Sequence, residues 1–134
     1  MGRVILTVYI TCAIAFSLLF AHESNATDRY SVLEVYKTLR SNFTYQHEEV
    51  DSWDVYPVDT PFRGDCEDFA FSLQEAVGVG KVYLVERNGV VDHAVYVYDK
   101  LIWDNGGVVY FPEQYTAMGY KVRYDVGEVY PFMR

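Results

Sequence analysis

Cysteine is scarce in this sequence, and the scarcity limits what the chain can be. Two cysteines occur among the 134 residues, and Cys12 lies inside an apolar N-terminal stretch. If that stretch is removed, Cys66 is the single thiol left, which excludes an internal disulfide and indicates a reactive or intermolecular thiol. Cations are also few, with 11 Lys and Arg against 19 Asp and Glu. Because phosphate contact requires clustered cations, we expect no nucleic-acid partner.

The N-terminal stretch is almost free of charge. Residues 4–20 contain no charged side chain, and the short segment that follows ends in Ser24-Asn25-Ala26. Small residues at the first and third of these positions predict a signal peptide, residues 1–26, that is cleaved after Ala26. The mature chain would be one domain, residues 27–134, in the periplasm or secreted. The alternative is an uncleaved anchor, and membrane contact is expected only through this segment.

Two helices are predicted before the β-rich half of the chain. The first opens at a capping box formed by Ser31 and Glu34. Its apolar positions recur at helical spacing and are Val32, Leu33, Tyr36, Leu39 and Phe43. Residues 45–63 have no clean period and contain two prolines, so they are predicted to form a loop.

The second helix opens at Cys66. Asp65 is a suitable N-cap, and Asp68 stands where the return member of a capping box is found. Gly78 and Gly80 are expected to end the helix. Cys66 would therefore lie in the first turn, where free N–H groups and the helix dipole stabilise a thiolate.

Strand-like segments follow, separated by tight turns at Asn88-Gly89 and Asp99-Lys100. A polar stretch at residues 112–118 interrupts them near the end. Consecutive hairpins predict an antiparallel sheet with helices on one side, which is the α+β class. The predicted strands are residues 81–86, 91–98, 101–104, 108–110 and 120–126.

The hairpin around Asp99-Lys100 brings two chemically active side chains together. With the turn at that dipeptide, Val95 lies opposite Asp104, and His93 is its diagonal neighbour on the same face. Diagonal neighbours are about 7–8 Å apart at the backbone, within reach of a His–Asp hydrogen bond. Cys66, His93 and Asp104 together are the inventory of a thiol nucleophile, its base and the carboxylate that orients the base.

These residues also carry a resemblance to a known family. The run GDCEDFA, then His93-Ala94-Val95 and Trp103-Asp104-Asn105, resembles the bacterial transglutaminase-like cysteine peptidases, which include periplasmic enzymes that clip surface adhesins. The resemblance spans residues 53–105. It implies a papain-like core and amide-bond hydrolysis through a thioester acyl-enzyme. The intervals from Cys to His and from His to Asp are short, so the family's substrate is not carried over.

The resemblance and the chemistry assign a role to each residue. Cys66 attacks an amide carbonyl, and His93 takes the thiol proton and later protonates the leaving amine. Asp104 fixes the imidazole tautomer and stabilises its cation. The Cys66 backbone N–H is a candidate oxyanion donor. The Trp53 indole is a second candidate, since related enzymes place an aromatic donor near that site, although a core or rim role is the alternative.

Three acids surround the nucleophile. Asp65, Glu67 and Asp68 lie within two residues of Cys66, and a like charge 4 Å away costs a thiolate about 4 kcal/mol at an effective dielectric of 20. Clustered carboxylates are hard ligands that suit calcium. Similar adhesin-clipping enzymes use calcium at the acids beside the cysteine. Asp65 and Glu67 match those positions, so the resemblance implies calcium ligands there, with Asp68 as a third candidate ligand. The alternative is that Asp65 and Asp68 only cap the helix.

Three functional classes remain open. The first is an exported cysteine peptidase acting on a protein or peptide, which needs no cofactor for its chemistry. The second keeps the same triad but changes the acceptor or the substrate, as in a transglutaminase or a cell-wall amidase. The third is a non-catalytic binding module that retains the fold.

Overall fold

The computed structural model describes residues 31–49 and 52–129. All of the described strands and nearly all of the described helical residues belong to one compact unit, which begins at residue 34. The predicted signal peptide and its cleavage site lie outside the described residues. Within the ranges described, no helix is long and apolar enough to cross a membrane.

The first helix, α1, contains residues 31–42. Ser31 is already helical, so the predicted capping box lies at the edge of the described residues. Phe43 was predicted to continue the helical face and instead begins a short strand, β1, at Phe43–Tyr45. Its side chain is buried all the same, because its ring packs 5.1 Å from that of Phe69.

The second helix, α2, spans Cys66–Val77 and confirms the predicted boundaries. Asp65 is extended at the N-cap, and its side chain accepts hydrogen bonds from the backbone amides of Glu67 and Asp68. The carboxylate of Asp68 in turn accepts the Asp65 N–H at 3.2 Å, which completes the predicted capping box. Gly78 ends the helix in the left-handed conformation, with φ 78°, which glycine adopts without steric cost.

The predicted loop is tied to α2 by two buried polar side chains. The amide of Asp54 donates to Asp68 at 2.8 Å, and the amide of Tyr56 donates to Ser72 at 2.9 Å. Because buried polar groups need partners, these bonds satisfy Asp68 and Ser72 and fix the loop. The loop is shorter than predicted, since β2 at Phe62–Gly64 pairs in parallel with β1.

The remaining strands form a five-stranded antiparallel sheet in the order β6-β5-β4-β3-β7. Both predicted turns are confirmed, with positive φ at Asn88, Gly89, Asp99 and Lys100, the pattern of two-residue hairpin turns. The strands are β3 Lys81–Arg87, β4 Val90–Tyr98, β5 Leu101–Trp103, β6 Val109–Tyr110 and β7 Tyr120–Asp125.

Helices cover both faces of this sheet, which corrects the expectation of helices on one side. On one face, Tyr36 of α1 packs against Trp103 and against Phe69 of α2, with ring centroids 5.4 and 5.9 Å apart. On the other, Tyr115 completes an apolar cluster with Val85, Val95 and Ile102. Tyr115 belongs to α3, Pro112–Ala117, where the sequence predicted only a polar stretch. A fourth short helix, α4, is Val126–Val129, and the α+β class is confirmed.

Candidate active site

His93 and Asp104 form a direct pair at the end of the second hairpin. Tyr98 pairs with Leu101 across the turn, so the predicted register is correct. His93 Nε2 lies 2.8 Å from Asp104 Oδ2. Asp104 follows β5 instead of ending it, because its other carboxylate oxygen accepts the Gly106 N–H at 2.9 Å and the chain turns there.

Asp104 accepts hydrogen bonds from several groups besides His93. The Tyr115 hydroxyl donates to Oδ2 at 2.9 Å, and the Tyr36 hydroxyl donates to the Asp104 backbone carbonyl at 2.6 Å. Burial acts to raise the pKa of Asp104, but the hydrogen bond and charge of His93, with the donors Gly106 and Tyr115, lower this pKa below its usual value. Asp104 is therefore an ionised acceptor at neutral pH.

Cys66 is the first residue of α2 and is a free, buried thiol, 6 % exposed. Its Sγ donates to Glu67 Oε2 at 3.0 Å. Burial, and then the charge of Glu67 and this hydrogen bond, raise the pKa of the thiol well above its usual value. The Ala94 backbone N–H acts in the opposite direction. The unfavourable electrostatics expected from the flanking acids are therefore present.

The structure brings two of the three predicted triad residues into contact, and no hydrogen bond between Cys66 and His93 is found among the described residues. His93 and Asp104 are hydrogen-bonded. Cys66 lies beside the Ala94 amide, and Ala94 is the neighbour of His93 in β4. Because Asp104 meets Nε2 of His93, Nδ1 is the ring nitrogen left to act as a base. In this arrangement the hydrogen-bond partner of the thiol is Glu67.

The three acids predicted to bind calcium differ in their surroundings and hydrogen-bond partners. Ligand atoms of Asp65, Cys66 and Glu67 lie within 4.8 Å of one another, whereas both carboxylate oxygens of Asp68 accept backbone amides. Calcium takes six to eight oxygen ligands. Two carboxylates and a sulfur do not make such a shell by themselves, so we derive no step through a metal. Calcium binding at Asp65 and Glu67 stays a prediction.

Burial also alters the acids themselves. It raises the pKa of Glu67 to about 7, with the hydrogen bond to Asp65 as the next cause. Burial likewise raises the pKa of Asp68 to about 6, although the amides of Asp54 and Asp65 lower it. Glu67 is thus partly protonated near neutral pH, which reduces the negative charge that faces Cys66.

The two oxyanion candidates differ in their surroundings. The amides of Glu67 and Asp68 both donate to Asp65, but among the backbone hydrogen bonds of the described turns and helix caps none uses the Cys66 N–H. An amide at the first helical position has no intrahelical acceptor. The Trp53 indole instead stacks on Phe71, with centroids 5.3 Å apart, and its oxyanion role stays a prediction.

A separate cleft lies at the opposite end of α2. Its volume is about 410 Å³, and Val55, Phe71, Glu75 and Val79 are among its lining residues. Cys66, His93 and Asp104 do not line it. This cleft is therefore not the site at which the triad would meet a substrate.

Two tyrosines near Asp104 were missed by the sequence analysis. Tyr36 was assigned only to the apolar face of α1, and Tyr115 to a polar stretch, although both hydroxyls bond Asp104. A helix opening with Pro112 at its first position was the available signal for Tyr115. Nothing in a chain with 13 tyrosines marks either hydroxyl as special.

No protein-family model matches this chain, and no curated protein is significantly similar to it. The resemblance to transglutaminase-like peptidases therefore depends on the motif residues around Cys66, His93 and Asp104, and it stays a prediction.

Proposed function

We propose that the chain is an exported, transglutaminase-like cysteine peptidase with a papain-like core. Its nucleophile is Cys66, its base is His93, and Asp104 orients the base. The observation that carries the proposal is the 2.8 Å contact between His93 Nε2 and Asp104 Oδ2. The backbone amide of Ala94, the next residue of β4 after His93, acts on the Cys66 thiol. A thiol nucleophile, an imidazole base and a carboxylate that orients the base are the groups that acyl transfer requires.

The proton transfer in this mechanism accompanies the attack. The resting thiol is protonated, since burial and Glu67 raise its pKa. As the sulfur bonds to the amide carbonyl, His93 Nδ1 accepts the thiol proton, and Asp104 stabilises the resulting imidazolium. The carbonyl oxygen gains the negative charge, which the Cys66 N–H stabilises.

The second half of the reaction regenerates the thiol. His93 gives its proton to the leaving amine, the C–N bond breaks, and a thioester remains on Cys66. Water then attacks the thioester with His93 as base, which releases the carboxylic acid and the thiol. If an amine replaces water in this step, the same site acts as a transglutaminase.

The test is a product analysis on a generic protein substrate. We would incubate the protein with casein and a fluorescent primary amine and identify products by mass spectrometry. New N-termini support the peptidase, and amine incorporated into casein supports the transglutaminase. Cys66→Ser, His93→Ala and Asp104→Asn should each abolish or reduce the reaction. A purified, folded protein that yields neither product in any tested condition would contradict the proposed chemistry.

A second candidate is a non-catalytic binding module. The observation that favours it is the burial of Cys66 together with the hydrogen bond from its thiol to Glu67. Iodoacetamide labelling separates the two candidates. A catalytic thiol should be alkylated in the folded protein, and faster in Glu67→Gln, because removing that charge lowers the thiol pKa. Alkylation only after denaturation would favour the binding module.

A further inference from the structure

The carboxylate of Asp104 accepts three hydrogen bonds from three different parts of the fold. Gly106 donates its backbone N–H to Oδ1 at 2.9 Å. His93 Nε2 and the Tyr115 hydroxyl both meet Oδ2, at 2.8 and 2.9 Å. The Gly106 contact is local and accompanies the turn. The Tyr115 contact comes from a separate helix, so it needs an explanation of its own.

Tyr115 is held rigidly in the position from which it donates. Its side chain is 1 % exposed and packs in the cluster with Val85, Val95 and Ile102. On the other side its ring stacks on that of Tyr120, with centroids 4.6 Å apart. The Tyr120 ring lies 6.1 Å from the imidazole of His93. A tyrosine fixed on both sides delivers its hydroxyl to one point with little loss of rotamer freedom.

The donor and acceptor assignments follow from the charge of Asp104. An ionised carboxylate only accepts hydrogen bonds, so both groups that meet Oδ2 must donate. Burial and the charge of Asp104 raise the pKa of Tyr115, which keeps the phenol protonated and able to donate. Neutral His93 must then carry its proton on Nε2, and its lone pair is on Nδ1. The hydroxyl of Tyr36, the other nearby phenol, donates a hydrogen bond to the backbone carbonyl of Asp104 and not to its carboxylate.

We propose that Tyr115 is a positioning residue that holds the Asp104 carboxylate ionised and aimed at His93, and so selects the imidazole tautomer whose Nδ1 accepts the Cys66 proton. This role rests on the proposed cysteine-peptidase function. Tyr115 does not touch the reacting atoms and acts through Asp104 and His93. A phenol that only filled the core would need no hydroxyl, yet this one is aimed at the carboxylate of the pair.

The test replaces the hydroxyl and retains the ring. In Tyr115→Phe, the loss of one donor should raise the pKa of Asp104, measured from its ¹³Cγ shift by NMR and assigned with Asp104→Asn. The population of the Nε2–H tautomer of His93, read from its ring ¹⁵N shifts, should fall. The kcat should fall about tenfold or more with KM unchanged, since a hydrogen bond to a charged group is lost.

Tyr96→Phe is the matched control. Tyr96 is fully buried, and its hydroxyl donates to the Val79 carbonyl at 2.6 Å, away from Asp104. This variant should lower the Tm without changing the Asp104 titration or the His93 tautomer. If Tyr115→Phe also changes only the Tm, the positioning role is overturned and Tyr115 is a core residue.

A second variant covers the case in which Tyr115→Phe does not fold. Site-specific 3-fluorotyrosine at position 115 makes the phenol more acidic and a stronger donor, so the pKa of Asp104 should fall. An unchanged titration would overturn the proposal. Neither NMR readout needs turnover. The wild-type protein could therefore lack activity while the substitutions at position 115 still change the titration of Asp104. That result would overturn the peptidase proposal and support the coupling between Tyr115 and Asp104.

Discussion

Replacing Asp68 by alanine tests whether this acid is a helix cap or a metal ligand. Asp68 is fully buried, and its two carboxylate oxygens accept the amides of Asp54 and Asp65, at 2.8 and 3.2 Å. One bond closes the capping box that begins the helix of Cys66. The other fixes the loop of residues 52–60 against that helix. Both donors lose their partner in Asp68→Ala.

The cost follows from these two bonds. A hydrogen bond to a charged group contributes about 1.5–3 kcal/mol, so two give about 3–6 kcal/mol. Burial raises the pKa of Asp68 to about 6, which means that ionising it in the fold is unfavourable and the lower end applies. We expect Asp68→Ala to lose about 3 kcal/mol of unfolding free energy at pH 7.5. For a domain of this size, that loss lowers the Tm by about 10–20 °C.

The assay is urea and thermal unfolding followed by circular dichroism, with and without calcium and with a chelator. Glu75→Ala, an exposed position on the same helix, is the control and should change stability by less than about 0.5 kcal/mol. A loss in Asp68→Ala that is the same in calcium and in chelator supports the cap. A loss below about 1 kcal/mol would contradict the capping role of Asp68, and a loss that appears only with calcium would make Asp68 a metal ligand.

Three further predictions concern the same end of α2. Gly64→Ala should cost about 1–3 kcal/mol in urea unfolding, because a methyl group there would lie 2.8 Å from the Cβ of the immobilised Asp68. The free energy of unfolding should fall as pH rises from about 4.5 to about 7. Burial raises the pKa of Glu67 to about 7, so the folded state holds this proton more tightly than the unfolded state. The Glu67→Gln variant should show a weaker pH dependence. If Asp65 and Glu67 bind calcium, adding calcium should raise the Tm and speed the alkylation of Cys66, and chelation should reverse both.

Each of these has a result that contradicts it. Gly64→Ala with wild-type stability would mean that the Asp68 side chain can shift without loss. A Glu67→Gln profile as steep as the wild-type profile between pH 4.5 and 7 would assign the pH dependence to other groups, such as Asp68, whose pKa burial raises to about 6. A Tm and a Cys66 alkylation rate that are the same in calcium and in chelator would end the calcium prediction.

The local features of the fold were predictable from the sequence. The cap at Asp65, the return member at Asp68 and the end of the helix at Gly78 are all confirmed. So are the turns at Asn88-Gly89 and Asp99-Lys100. Each depends on a few adjacent residues whose backbone or side-chain preferences are strong, so neighbours along the chain suffice to specify it. The His93–Asp104 pairing is predictable for the same reason, since one turn fixes the register of the hairpin.

Two predictions of short elements were wrong, at positions where the sequence pattern was weak. Phe43 was predicted to lie in α1 but begins β1, because it packs against Phe62 and Phe69 from distant segments of the chain. The helix at Pro112–Ala117 is six residues long, too short to show a helical period in its sequence. Both errors arise because packing against the rest of the domain, which no local pattern encodes, decides the conformation of short segments.

Local sequence alone specifies a thiol at a capped helix start, and a histidine and an aspartate joined by one hairpin. The protonation and the hydrogen-bond partners of those groups depend on how distant segments pack. Burial and Glu67 raise the pKa of the Cys66 thiol, and Tyr115 reaches Asp104 from a separate helix. Such effects depend on distance through space and on exclusion of water, and both arise only when segments remote in the chain pack together.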